Sequence, residues 1–157
     1  MIGFLKWSNE HPRIAQLRSL KLFSTLTARE LRVIEGLVHD RQYQKGEVIF
    51  DAGEEGQALY VVLRGSVLIC RQGEPVTGRI AELPTGAVFG ELALLEGAPR
   101  VAQARASDDC TLAALSRTDF NRLIDTHGKI ASKVALELAR DLGQKLIARN
   151  EAAARSP

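Results

Sequence analysis

Glycines stand at positions 46, 53, 56, 65, 73, 78 and 86, one every few residues through the middle of the chain. Each glycine costs a helix interior about 1 kcal/mol relative to alanine, so no helix runs through this stretch. Between and beyond the glycines lie short segments rich in β-branched and large apolar residues, at 47–50, 59–63, 66–70, 78–83, 101–106 and 111–115. Short strands cut by turn residues at this spacing predict a chain that reverses many times within one antiparallel barrel or roll.

The flanks follow a different period. Thr27 and Glu30 have the spacing of a capping box, and Leu31, Ile34, Leu37 and Val38 continue at helical spacing, which predicts a helix ending near His39. Ile14, Leu17, Leu20, Leu22 and Phe23 mark a shorter helical segment ahead of it. After the strands, Ser116 caps a helix opened by Arg117 and carrying Phe120, Leu123 and Ile124 on one face, and Gly128 breaks it. A longer amphipathic helix then presents Ile130, Val134, Leu138, Leu142 and Leu146, and the tail 151–157, with nothing apolar larger than alanine, is expected to fray. The expected fold class is α+β: an antiparallel β-roll of jelly-roll type flanked by N-terminal helices and two C-terminal helices. It forms one domain over 1–150, with helices in 1–40, the roll in 41–116 and the final helices in 117–150.

Composition narrows the functional classes. At 157 residues, 45% hydrophobic and 25% charged, the chain has the profile of one ordinary globular domain. No apolar run approaches the roughly 20 residues that cross a bilayer, and the Met1 to Leu5 run has the wrong flanks for a secretory signal, so a cytoplasmic location is expected. Cys70 and Cys110 both sit in apolar alternating segments and read as buried thiols in a reducing compartment. Residues 46–116 hold five Lys or Arg against ten Asp or Glu, while both ends are basic, which argues against nucleic acid on the central sheet. Too little chain follows Gly128 for a separate DNA-binding domain. His11, His39 and His127 fall in or beside helical segments, so the ligand set of a metal-binding roll is not expected, and neither a catalytic set nor a cofactor is read from this inventory.

The segment 84–106 carries the chemistry, above all Phe89-Gly90-Glu91-Leu92-Ala93-Leu94-Leu95 followed by Pro99-Arg100. Gly90 lets the backbone approach an anion, and residues 91–95 can form one helical turn whose first amides are unpaired. Arg100 can make a two-pronged, charge-assisted contact with phosphate oxygens. Glu91 needs a hydrogen-bond donor beside that phosphate, and a ribose hydroxyl meets the requirement. Taken singly, Glu91 also reads as a helix cap and Arg100 as a surface partner of Glu96 or Glu91. The combination at this spacing is what points to a nucleotide with one phosphate next to its sugar.

Over residues 20–145 the chain resembles the cyclic nucleotide-binding domain family, the roll shared by catabolite activator proteins, regulatory subunits of cyclic-nucleotide-dependent kinases and cyclic-nucleotide-gated channels. The resemblance lies in Leu22, Phe23 and Leu26, in Gly46, Glu47, Ile49 and Phe50, in Asp51, Gly53 and Glu54, in Leu59, Tyr60, Gly65 and Val67, and above all in the cassette at 89–100. It implies that Glu91 accepts from the ribose 2′-hydroxyl, that Arg100 meets the exocyclic phosphate oxygens, and that the amides of Gly90, Glu91, Leu92 and Ala102 hold sugar and phosphate. Where many members of the family place threonine or serine, this chain has Gln103, which is counted among the candidate ligand contacts and leaves affinity and base choice open.

Val61, Leu63, Leu83 and Val88 are the candidate base contacts, and Tyr60 reads as a core strand residue. The expected function is that of a non-catalytic sensor of cAMP, with cGMP as the second ligand, signalling through the helix at 129–147 by covering the base or by contacting an effector or a second copy. The alternative is a roll that no longer responds to nucleotide and serves in protein interaction.

Overall fold

The computed structural model describes residues 11–156; the Met1 to Leu5 run lies outside them. Helix α1 (Pro12–Ser19) begins with proline at its first position, where a missing N–H is no loss. A 3-10 turn (Lys21–Phe23) leads to α2 (Ala28–Glu35), which starts at the expected capping box: the Thr27 hydroxyl accepts from the Glu30 amide at 3.2 Å, and the Glu30 carboxylate accepts from the Thr27 amide at 3.0 Å.

Eight strands then build the roll: β1 (Val38–Tyr43), β2 (Val48–Phe50), β3 (Ala58–Arg64), β4 (Val67–Arg71), β5 (Glu74–Leu83), β6 (Val88–Phe89), β7 (Gln103–Ala106) and β8 (Cys110–Ser116). They form two antiparallel four-stranded sheets, ordered β1-β8-β3-β6 and β2-β7-β4-β5. The short helix α3 (Glu91–Leu95) sits between β6 and β7, and α4 (Arg117–Thr126) and α5 (Gly128–Arg155) complete the chain.

Several boundaries differ from the sequence expectation: β5 begins at Glu74 and not at Gly78, β7 begins at Gln103 and not at Val101, and two helix ends move. Helix α2 ends at Glu35, and Val38 opens β1, where it pairs with Leu115 of β8. The β1 sequence Val-His-Asp-Arg-Gln-Tyr has no apolar alternation because this edge strand is mostly exposed, so only its ladder to β8 defines it. Helix α5 continues through residues 151–155 instead of fraying there. Three consecutive alanines, the best helix formers, carry it to Arg155 without any buried contact.

Strand β3 explains the layering. Six of its seven residues are buried because it is covered on both faces. Tyr60 and Val62 point between the sheets, into a cluster with Phe50, Val67, Phe89, Ala104 and Leu112. Val61 and Leu63, half a period away, point into the larger core between the first sheet and the helices, with Phe23, Leu31, Ile34, Phe120, Val134 and Leu138. Cys70 and Cys110 are buried free thiols.

Candidate functional site

The loop between β6 and β7 is shaped by Gly90. Its φ of 76° lies in the left-handed region, and a Cβ at this position would lie 2.6 Å from Arg100 Nη1. The close approach lets Arg100 Nη1 donate to the Gly90 carbonyl at 3.3 Å, while Nη2 donates to the Ala58 carbonyl at 2.7 Å. The guanidinium carbon lies 4.1 Å from the centroid of the Phe50 ring, so the cation closes over the inter-sheet core. Burial lowers the Arg100 pKa from its ordinary value. The backbone at Arg100 is pinned as well: its amide donates to the Glu54 carbonyl at 2.8 Å and its carbonyl accepts from Gly53 at 2.7 Å.

Glu91 opens α3 and is buried, 9% exposed. Burial pushes its carboxyl pKa up, and Lys145 of α5 pulls it back by donating from Nζ to Oε1. The same ammonium donates to the Val88 carbonyl at 2.6 Å, and it pairs with Asp141 Oδ2 at 2.9 Å in a geometry poor for a hydrogen bond.

Glu91 and Arg100 share one cavity of about 510 Å3. It is lined by the apolar Ile69, Ile80 and Leu83 of the β4–β5 hairpin, by the cassette, and by Lys145, Ala148 and Arg149 of α5. Leu92, Ile80 and Val101 line it while remaining 46%, 56% and 86% exposed, an apolar rim at a site that also holds charges. A second groove of about 480 Å3 lies near Tyr43, Arg64 and Asp109, away from the cassette. No group of histidine, cysteine and acidic residues suited to a metal ion occurs among the described residues.

Of the residues singled out from the sequence, Gly90, Glu91, Leu92, Arg100, Ala102 and Leu83 come together around the cavity. Val61, Leu63 and Val88 do not. Val61 pairs with Val88 across β3 and β6, and both turn with Leu63 to the helix-packed face, because alternate strand residues face opposite sides. Gln103 is also elsewhere: 2% exposed, its Nε2 donates to Asp51 Oδ1 at 2.6 Å and its Oε1 accepts from Arg105 Nε at 2.7 Å. Its longer arm serves a buried tie to Asp51, whose carboxyl is held below the usual range first by Gln103 and then by Gln72. Tyr60 is a core residue stacked on Phe89 at 5.3 Å between ring centroids.

Ile69, Ile80, Lys145 and Arg149 were not legible as site residues. The two isoleucines offered strand-like apolarity without a facing direction, and the two cations looked like solvated charges on an amphipathic helix. On α5, Lys145, Ala148 and Arg149 line the cavity, whereas Leu146 of the expected apolar stripe is 60% exposed.

The model of the family described as the cyclic nucleotide-binding domain matches residues 40–127. The cyclic AMP receptor protein of Thermus thermophilus is 36% identical over 80% of this chain and 59% of its own length. The cAMP-dependent protein kinase regulatory subunit of Debaryomyces hansenii is 32% identical over 69% of this chain and 23% of its own length. The chain thus spans only part of these relatives, between about a quarter and three fifths. In fold, the crystal structure of a cyclic nucleotide-binding domain from Methylobacillus flagellatus superposes with a TM-score of 0.78 at 23% identity, covering 92% of this chain and 83% of that one. With the family model matching more than half of its length, the chain belongs to the cyclic nucleotide-binding domain family.

Proposed function

We propose that this chain is a non-catalytic sensor domain for a cyclic nucleotide, with cAMP the preferred ligand and cGMP the second. The carrying observation is the placement of Glu91 and Arg100 on one short loop, pinned by Gly90, at the border of an apolar cavity. Arg100 supplies the cation for the cyclic phosphate, and Glu91 the acceptor for the ribose 2′-hydroxyl. The amides of Gly90, Glu91, Leu92 and Ala102 are assigned as further donors to sugar and phosphate. The base then packs against Leu83, Ile69 and Ile80, covering apolar surface otherwise in water. The names of the cyclic AMP receptor protein and of the kinase regulatory subunit support cAMP as the ligand. A regulatory rather than catalytic role follows the character of the family.

The output runs through α5, whose Lys145, Ala148 and Arg149 reach the cavity while Leu136, Leu146 and Ile147 remain exposed for an effector or a second copy. Calorimetry with cAMP, cGMP and linear AMP tests the binding. The cyclic nucleotides are expected to bind above AMP, and Arg100→Ala is expected to weaken cAMP by on the order of a hundredfold, as for truncation of a buried charge partner. Circular dichroism of the variant separates this loss from unfolding. Equal weak heats for all three nucleotides would favour the second reading, an interaction module that does not respond to nucleotide, which is motivated by the engagement of Glu91 with Lys145.

A further inference from the structure

The carboxylate assigned to the ribose is already bonded within the chain. Lys145 Nζ donates to Glu91 Oε1 and to the Val88 carbonyl, and pairs with Asp141. An ammonium has three donors and no acceptor, so two of its three N–H groups are already committed within the chain, and its charge is further paired with Asp141. The lysine side chain is nonetheless 44% exposed, against 11% for Glu91, so it has room to withdraw. Asp141 lies one turn before it on α5, so a withdrawn ammonium keeps an ion-pair partner on its own helix.

We propose that Lys145 is a tethered competitor for the ribose subsite, and that it sets how far the domain distinguishes a ribose from a 2′-deoxyribose. The inference rests on the reading of Glu91 as the ribose acceptor. A ligand with a free 2′-hydroxyl gains its bond to Glu91 only by displacing Lys145, whereas a 2′-deoxy ligand leaves the Lys145–Glu91 contact in place. Wild-type discrimination between the two sugars is therefore compressed. By reciprocity, a ribonucleotide weakens the Lys145–Glu91 contact by the same factor that this contact weakens its binding.

The test is calorimetry of wild type, Lys145→Met, which keeps the aliphatic stem, and Arg100→Ala, each with cAMP and 2′-deoxy-cAMP. Removing the competing charge-assisted bond is expected to tighten cAMP by roughly tenfold. The affinity for 2′-deoxy-cAMP is expected to change by less than about twofold, so the ratio between the sugars widens by roughly tenfold. Weaker cAMP binding by K145M would make Lys145 a ligand contact and overturn the proposal. Equal shifts for both nucleotides would reduce it to a general charge effect and overturn it as well. If wild type binds and R100A does not, an unchanged sugar ratio in K145M defeats this inference alone. If no cyclic nucleotide binds wild type, the reading of the site fails and this inference with it.

Discussion

Lys133 and Lys145 stand on the same helix and each meets a glutamate of another element, yet the two carboxylates respond in opposite directions. Glu30, at 2.7 Å from Lys133, is lowered from 4.5 to about 2, chiefly by that hydrogen bond and then by the Thr27 amide. Glu91 is raised from its ordinary value, because burial outweighs the Lys145 bond and Asp141 adds a second negative group. Around Lys133 the helix is anchored: Ile130, Ala131, Val134 and Leu138 are all buried in the core between sheet and helices. Around Lys145 it has little packing, with Leu146 and Ile147 each 60% exposed. The same pair of residue types therefore acts as a clamp where the surrounding helix is packed, and as a releasable contact where it is not.

The sharpest way to break this comparison is by truncation. Leu138→Ala is expected to destabilise the fold by about 2 to 5 kcal/mol, the range for a fully buried leucine, whereas Leu146→Ala should stay within about 0.5 kcal/mol. Urea unfolding measures both, and comparable losses would show that the two halves of α5 are equally anchored.

The Glu30 clamp is smaller and depends on pH. Because its folded pKa lies below the unfolded value, its contribution is complete above about pH 4.5 and is lost as pH falls toward 2. After allowance for solvent screening this amounts to roughly 1 kcal/mol. Glu30→Gln should therefore lower stability at pH 7 by about that amount and make little difference near pH 2; a constant difference across the range would remove the ionic component.

Glu91 has the opposite slope. Its folded pKa is raised, so the penalty of keeping it ionised is present above that pKa and fades as pH falls through it. Protonation also removes the ionic partner of Lys145, while Asp141 retains the ammonium. On mild acidification, backbone amides at 143–155 should therefore exchange faster before those at 129–138 change. This is the smallest expected effect, and simultaneous acceleration along the whole helix would mean that α5 opens as one unit.

Much of the fold was legible because its signals are local. Thr27 and Glu30 announced a helix start that the structure builds bond for bond, and the glycines between 46 and 86 announced the strand reversals. Strand β1 was not legible, since a polar edge strand is defined by its partner and not by its own pattern. Gln103 was placed among the ligand contacts by the family resemblance, at a position where many members carry threonine or serine, but in this chain its amide bonds the neighbouring carboxylate of Asp51.

By itself the sequence determined a roll between helices and the nearness of Glu91 to Arg100, because one short loop joins them and Gly90 permits the turn it requires. Only the tertiary structure decided which face of each strand looks into the cavity. Strand alternation specifies two sides but does not say which is covered by helices, so Val61 and Val88 went to one core and Ile69 and Leu83 to the other. The meeting of Lys145 with Glu91 was likewise settled by packing. A charged residue on an amphipathic helix carries no record of its partner until the buried residues Val134 and Leu138 have fixed where that helix lies.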